Sequence, residues 1–143
     1  MKLQTVMAIH PVTIGAHETV AKAAARMRNT NVGCLVVMND RAVAGIITDR
    51  DLVIRCTAEG HEPVACTVAD HMSHPVIART PDMDVLAAAH VMTEAKVKRM
   101  VVIDAGELVG IVSLSDIALA LDKPVHELLL GMGAAHRMSV AAT

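Results

Sequence analysis

The 143-residue chain contains no phenylalanine, tyrosine or tryptophan. Its core must be built from Val, Ile, Leu, Ala and the 10 methionines. No base can stack on an aromatic ring here, which removes the usual means of holding single-stranded nucleic acid. Basic runs are lacking too: 13 Lys and Arg stand against 15 Asp and Glu, a formal net charge of −2. That balance argues against a nucleic-acid partner bound through its phosphates. No apolar run nears the roughly 20 residues that cross a bilayer. The opening MKLQTVMAIHPVT has neither the apolar stretch nor the small-residue cleavage site of a secretory signal. A cytoplasmic protein without membrane contact is expected. The three cysteines, Cys34, Cys56 and Cys66, have no CxxC spacing; an odd count reads as reduced thiols, two or more of them buried. GxSxG, a Walker loop, HExxH and a matched Cys/His set are all missing, and TDRD does not extend into a calcium loop, so catalysis is not expected. What is present, 53 % hydrophobic and 20 % charged, is the composition of a globular chain. The length fits one compact domain or two small modules sharing a core.

The chain repeats itself. GIITDRD at residues 45–51 returns as GIVSLSD at 110–116, keeping a glycine, two β-branched residues, a hydroxyl and an aspartate. A shift of 65 residues superposes the motifs and also lays Val20, Ala23, Ala24 and Met27 on Val85, Ala88, Ala89 and Met92. Near the openings a shift of 64 lays His10-Pro11-Val12 on His74-Pro75-Val76. Such self-similarity marks an internal duplication. Each copy reads as an extended piece (13–15 or 77–79), then a helix with apolar residues at i, i+3, i+4 and i+7. His17 or Glu18 is expected to open the first helix, and Thr80 or Asp82 to cap the second. Two β-rich runs follow, 34–38 with 43–48 and 100–103 with 108–113, joined by turn-forming NDR and DAGE into hairpins. Helices at 50–56 and 115–121 close the copies. Residues 3–57 thus form the first repeat, 58–66 a polar linker, 67–121 the second repeat and 122–143 a C-terminal helix and tail. One β-α-β-β-α unit has too little core to stand alone, so the copies are expected to pack through their sheets about a pseudo-two-fold axis in an α+β fold.

In each motif the hydroxyl of Thr48 or Ser113 lies where a strand ends and a helix begins. Unsatisfied N–H groups and the positive end of the dipole suit a phosphate there. Asp51 or Asp116, three residues on, offers a carboxylate able to accept both hydroxyls of a ribose diol. The same residues also make good N-caps and dipole partners, and both readings stand.

These motifs, the HPV openings and the order of elements resemble a tandem pair of CBS domains (a Bateman module) over about residues 3–121. GAHETVAKAAARMRNTNVGCLVV and TDRDLVIRCTAEG are similar to small stand-alone bacterial CBS pairs of the hypoxic-response type. The resemblance implies an adenosine-containing regulatory ligand, such as AMP, ADP, ATP or S-adenosylmethionine, in clefts between the repeats, and no cofactor. It makes Asp51 and Asp116 the ribose ligands. Thr48 with Arg50, and Ser113 with Ser115, would face phosphate. Thr5 and His10 to Val12, and Ala69 and His74 to Val76, would hold adenine. Val32, Gly33 and Cys34, and Val97, Lys98 and Arg99, would close the pockets. In ligand-binding relatives basic residues at the last place contact phosphate, a task for Lys98 and Arg99, whose alternative is a solvated edge strand. A homodimer formed through the helices flanking the sheets is implied, with a separate effector protein reading the change in shape.

Two rival readings keep the fold. One is a ligand-free stress or interaction protein in which Thr48, Ser113 and the acids are only caps. The other is a redox or metal sensor using Cys34 or the turn with His71 and His74. Cys34 opens a strand expected to be buried, which makes it a poor sensor thiol. His71 and His74 share one side if their segment is a helical turn, with Cys66 nearby. No second dense cluster adds ligands and His74 has a repeat partner in His10, so no metal site is assigned. The tail is expected to form a short helix over residues 125–130 that offers Leu128, Leu129 and Leu130 to its own domain or a second subunit.

Overall fold

Helix starts are set by the residue immediately before the first helical one, and both long helices obey this. The structure is a computed structural model describing residues 1–121; the tail and its expected helix lie outside them. Helix α1 (Val20–Thr30) opens at Thr19, whose hydroxyl accepts from the Lys22 N–H at 3.2 Å. For α3 (Val85–Glu94) the cap is Asp84, accepting from the Leu86 and Ala87 N–H groups at 3.0 and 3.3 Å. The caps expected at His17 or Glu18 and at Thr80 or Asp82 are corrected accordingly. Glu18 turns back to accept from the Gly15 N–H at 2.7 Å, and the Thr80 hydroxyl bonds Asp82. Val20, Ala23 and Met27 are buried on α1, and Val85, Ala88 and Met92 on α3; Ala24, expected in the stripe, faces solvent.

The strands are β1 (Ala8–Ile9), β2 (Thr13–Gly15), β3 (Cys34–Asn39), β4 (Ala42–Thr48), β5 (Ala78–Arg79), β6 (Arg99–Asp104) and β7 (Glu107–Ser113). In each repeat the hairpin is antiparallel, and the preceding short strand, β2 or β5, lies parallel to its first arm. Both hairpins carry a one-residue irregularity at the same place, after Val37 and after Val102. Helix α2 is one turn, Asp49–Asp51, continuing as a π-helical stretch over Leu52–Thr57, and α4 is Leu114–Leu121.

The repeats exchange their opening segments. Strand β1 pairs antiparallel with β7, Ala8 opposite Ile111, so the second sheet has the order β1-β7-β6-β5. Reciprocally, Ser73 bridges Ile46 on β4, with hydrogen bonds of 2.8 and 3.0 Å in the two directions. Lys2 bridges Asp84, and Thr67 bridges Thr19. Fully buried Leu3 therefore packs with Val85, Met92 and Met100 of the second repeat, while Val68 packs with Ile14, Leu35 and Ile47 of the first. Burying each such side chain is worth about 1.5–3 kcal/mol. The exchange explains the repeated glycines, where a side chain would collide with the crossing segment. A Cβ on Gly45 would lie 2.6 Å from Met72 Sδ and 2.7 Å from the Ser73 carbonyl oxygen; on Gly110, 2.5 Å from Met7 Sδ.

The register also corrects the alignment of the openings. Val36 donates to the Val12 carbonyl and Val101 to that of Ile77, so Val12 matches Ile77 rather than Val76. The shared HPV letters are offset by one residue in space. Between the sheets, Val36, Ile46 and Val101 form a third apolar cluster joining the halves. The architecture is the expected α+β pair of β-α-β-β-α repeats packed through their sheets.

Candidate functional site

Two clefts open where one repeat's opening meets the other repeat's helix start. The first, about 370 Å³, is lined by His10, Pro11, Val12, Val32, Gly33 and Cys34 from the first repeat and by Arg99, Ser113 and Asp116 from the second. Its counterpart, about 210 Å³, takes Thr48 from the first repeat and Pro75, Val76, Ile77, Val97, Lys98 and Arg99 from the second. Arg99 reaches both, and the matching position of the first repeat holds Cys34.

Of the expected site residues, His10–Val12, Val32–Cys34, Ser113 and Asp116 line the first cleft, Thr48, Pro75, Val76, Val97 and Lys98 the second, and Arg99 both. Thr5, Arg50, Asp51, His74 and Ser115 line neither. Thr5 is exposed and donates its hydroxyl to the Lys2 carbonyl at 2.7 Å. Arg50 points into a separate shallow hollow with Asp49, Val53 and Ile54. His74 falls outside because of the one-residue offset, which puts Pro75 where His10 stands. Ser115 is exposed, and Ala69 serves the first repeat by donating its N–H to the Ala16 carbonyl. Sequence reasoning missed Ala8, Ile9, Val36 and Ile111 in the first cleft and Ile46, Ser73 and Ile77 in the second. All but Val36 and Ile77 belong to the exchanged pairings, whose signal was the otherwise unexplained glycine of each motif.

Hydroxyl and acid cap each helix reciprocally. Thr48 N–H donates to Asp51 Oδ2 at 2.9 Å and Asp51 N–H to Thr48 Oγ1 at 3.2 Å. Ser113 N–H donates to Asp116 Oδ2 at 2.8 Å and Asp116 N–H to Ser113 Oγ at 3.0 Å. This is the capping box, here with Asp at the third position. One carboxylate oxygen remains in each. Asp51 Oδ1 lies 3.7 Å from Arg55 Nε, one helical turn on. At the equivalent place after Asp116 stands Ala120, and among the described residues no cation pairs with Asp116.

Burial pushes the Cys34 thiol up to about 11, with Arg99 pulling the other way. It is a protonated, half-buried wall of the cleft, which does not suit a sensor thiolate. His71 and His74 do not share a side. His71 is buried, its Nδ1 2.9 Å from the Thr67 carbonyl oxygen, and His74 is exposed.

The CBS domain pattern matches residues 3–56 and 68–123. The chain is 34 % identical over 117 residues to hypoxic response protein 1 of Mycobacterium tuberculosis, covering 81 % of this chain and 80 % of that one. It is 32 % identical over 113 residues to the CBS domain-containing protein YhcV of Bacillus subtilis, covering 79 % and 80 %. A crystal structure of Hypoxic Response Protein I with two coordinated zinc ions superposes with a TM-score of 0.75 at 32 % identity, over 85 % of this chain and all of that one. A hexameric CBS-CP12 protein from bloom-forming cyanobacteria superposes with a TM-score of 0.77 at 31 % identity, over 85 % of this chain and 72 % of that one. With both copies matched and a complete CBS-pair structure laid over them, the chain belongs to the CBS-domain family and resembles its hypoxic-response members.

Proposed function

We propose that this protein is a stand-alone, non-enzymatic regulatory CBS pair of the cytoplasm. It binds an adenosine-containing ligand (AMP, ADP, ATP or S-adenosylmethionine) in the cleft lined by Asp116 and signals through a change in shape. One observation carries the reading. Asp116 presents a carboxylate oxygen that, among the described residues, pairs with no cation; it lies beside Ser113, with Arg99 on the same cleft and the apolar His10–Val12 and Val32–Cys34 walls around them. A carboxylate suits a ribose diol, the guanidinium a phosphate, and aliphatic walls an adenine plane. A ligand touching both repeats favours one relative orientation of them, and a separate effector protein reads the shifted population. Self-association fits the same reading: Val53, Ile54, Leu86 and Leu121 are exposed on the outer helices, where a second copy would cover them.

The test is isothermal titration calorimetry with AMP, ATP and S-adenosylmethionine in turn, on the wild type and on Asp116→Asn. The amide oxygen of asparagine still accepts from the Ser113 N–H, so the cap survives while the charged acceptor is lost. Hydrogen bonds to a charged group are worth about 1.5–3 kcal/mol, so affinity should fall by roughly tenfold or more. No heat with any of the three ligands on folded wild type would sink the proposal and leave a ligand-free interaction protein whose motif residues act as caps.

A further inference from the structure

Outside the lining of both clefts, three ligand-type side chains that are scattered in sequence meet at the joint between the repeats. Cys56 lies in the π-helical stretch after α2, Cys66 lies before the exchanged segment, and His71 lies within it. Their sulfur and ring nitrogen atoms all lie within 4.8 Å of one another. Cys56 is fully buried, and His71, 5 % exposed, is the one buried polar or charged residue among the described residues. We propose that Cys56, Cys66 and His71, with His61 as fourth ligand, bind one thiolate-preferring divalent metal ion of the zinc type. This goes beyond the nucleotide reading and does not depend on it.

The hydrogen bonds prepare His71 for the task. Its Nδ1 faces the Thr67 carbonyl oxygen at 2.9 Å, so the proton sits there and the lone pair is on Nε2. A backbone carbonyl behind the other nitrogen is how ligating histidines are oriented. Nε2 lies 3.3 Å from His61 Nδ1, with the rings nearly perpendicular at 88°. Two nitrogens bound tetrahedrally at Zn–N distances of 2.0–2.1 Å would be separated by about 3.3–3.4 Å, the edge of that tetrahedron. Without metal the gap is bridged by a hydrogen bond from His61. With metal, His61 carries its proton on Nε2 instead. The His61 N–H donates to the Cys56 carbonyl at 3.0 Å, holding that loop over the cluster whether or not the thiol is ionised.

The duplication supplies an internal control. At the places matching Cys56, Cys66 and His71 under the 65-residue shift stand Leu121, Met1 and Val6. Val6 packs into the second apolar core while Met1 and Leu121 are exposed, so the matching joint of the other half gathers no ligand-type side chains. The polar version has an approach from solvent, a hollow of about 470 Å³ lined by Cys66, His61 and His71 with Glu62 and Asp70. Arg55 also borders it, but its guanidinium donates to the Met72 carbonyl at 2.9 Å and faces Asp51. Two thiolates and two imidazoles disfavour magnesium and calcium and suit tetrahedral zinc. Binding expels both thiol protons to solvent and ties the π-helical stretch, the linker and the exchanged segment together.

The experiment uses the full chain, reduced and stripped with a chelator, titrated with Co²⁺ alone and then with Zn²⁺. One Co²⁺ per chain should bind with tetrahedral d–d bands and a thiolate-to-cobalt charge-transfer band, all removed by Zn²⁺. Cys66→Ser should weaken Co²⁺ binding by more than the ~100-fold at which second-shell losses end. Cys34→Ser should leave the spectrum unchanged. Circular dichroism establishes that each variant is folded, and Cys66, half-buried at the rim, is chosen over the fully buried Cys56 for that reason. Zn²⁺ should also raise the melting temperature of the wild type and not that of Cys66→Ser. Folded, fully reduced wild type with no charge-transfer band would overturn the site, as would a wild-type spectrum in Cys66→Ser. A wild-type spectrum in His61→Ala would overturn the four-ligand form.

Discussion

At the first turn of α2, Asp51 meets Arg55 one turn further on; at the first turn of α4, Asp116 has Ala120 in that place. Both acids close the same capping box, yet only Asp116 lines its cleft. The wall opposite differs as well, with Gly33 and Cys34 in one cleft and Lys98 and Arg99 in the other. Duplication preserved what folding needs, the cap and the glycine, and let the cleft-facing side chains diverge. A carboxylate neutralised by its own helix has little left to offer a diol, so the two clefts are not interchangeable sites.

The sharpest way to break the likeness of the halves is to remove one anchor of the exchange. Leu3→Ala should cost about 2–5 kcal/mol in urea unfolding, because a fully buried leucine leaves a cavity in the second core. Val68→Ala, its counterpart in the first core, should cost less, about 1.5–3 kcal/mol. Equal small losses at both positions would mean that the exchanged segments do not stay docked. Next come the motif glycines. Gly45→Ala meets a backbone oxygen at 2.7 Å and should cost about 1–3 kcal/mol. Gly110→Ala meets mainly the Met7 side chain, which can swing away, its nearest backbone oxygen being 3.2 Å off. A melting series in which Gly110→Ala is the worse of the two contradicts this ranking.

Arg99 tests the clefts themselves. Arg99→Met keeps the length and removes the charge, so a phosphorylated adenosine ligand should bind roughly tenfold more weakly, about 1.4 kcal/mol, while S-adenosylmethionine is hardly affected. Equal weakening of both ligands would deny the phosphate role. The smallest difference is acid sensitivity. The Gly15 N–H, and after it Arg26, holds the Glu18 carboxyl below its usual range; Met83 occupies that place in the second repeat. A lowered folded value means stability present at neutral pH and lost as pH falls below the ordinary glutamate value of about 4.3. Glu18→Gln should flatten that slope by under about 1 kcal/mol, seen as converging melting curves of variant and wild type at acid pH.

Much of this was legible in the sequence because hydrophobic period and repetition report on the same core. The paired hairpins and helices follow from short-range pattern plus duplication, whereas the first cleft's walls at His10–Val12 and Val32–Cys34 and the place of Arg99 were implied by the resemblance to CBS pairs. The exchange was not legible. A two-residue strand such as Ala8–Ile9 is too short for periodicity, and its partner lies about a hundred residues away in the chain. The misplaced His74 has another cause: the shared HPV letters aligned the openings one residue away from the register set by Val12 and Ile77. The Cys56–Cys66–His71 meeting was hidden for a related reason: ligands drawn from a helix end, a linker and an exchanged segment have no motif spacing.

The exchanged openings also bear on synthesis. When residue 57 has left the ribosome, the first core still lacks Val68, which is made later, while Leu3 already belongs to a core that does not yet exist. The first core can therefore close only after Val68 has been made, and Leu3 stays without its core until the second hairpin follows. A bulky group fused ahead of Met1 would crowd a strand inside the second sheet, and its harm would show in the half of the molecule farthest from it along the chain.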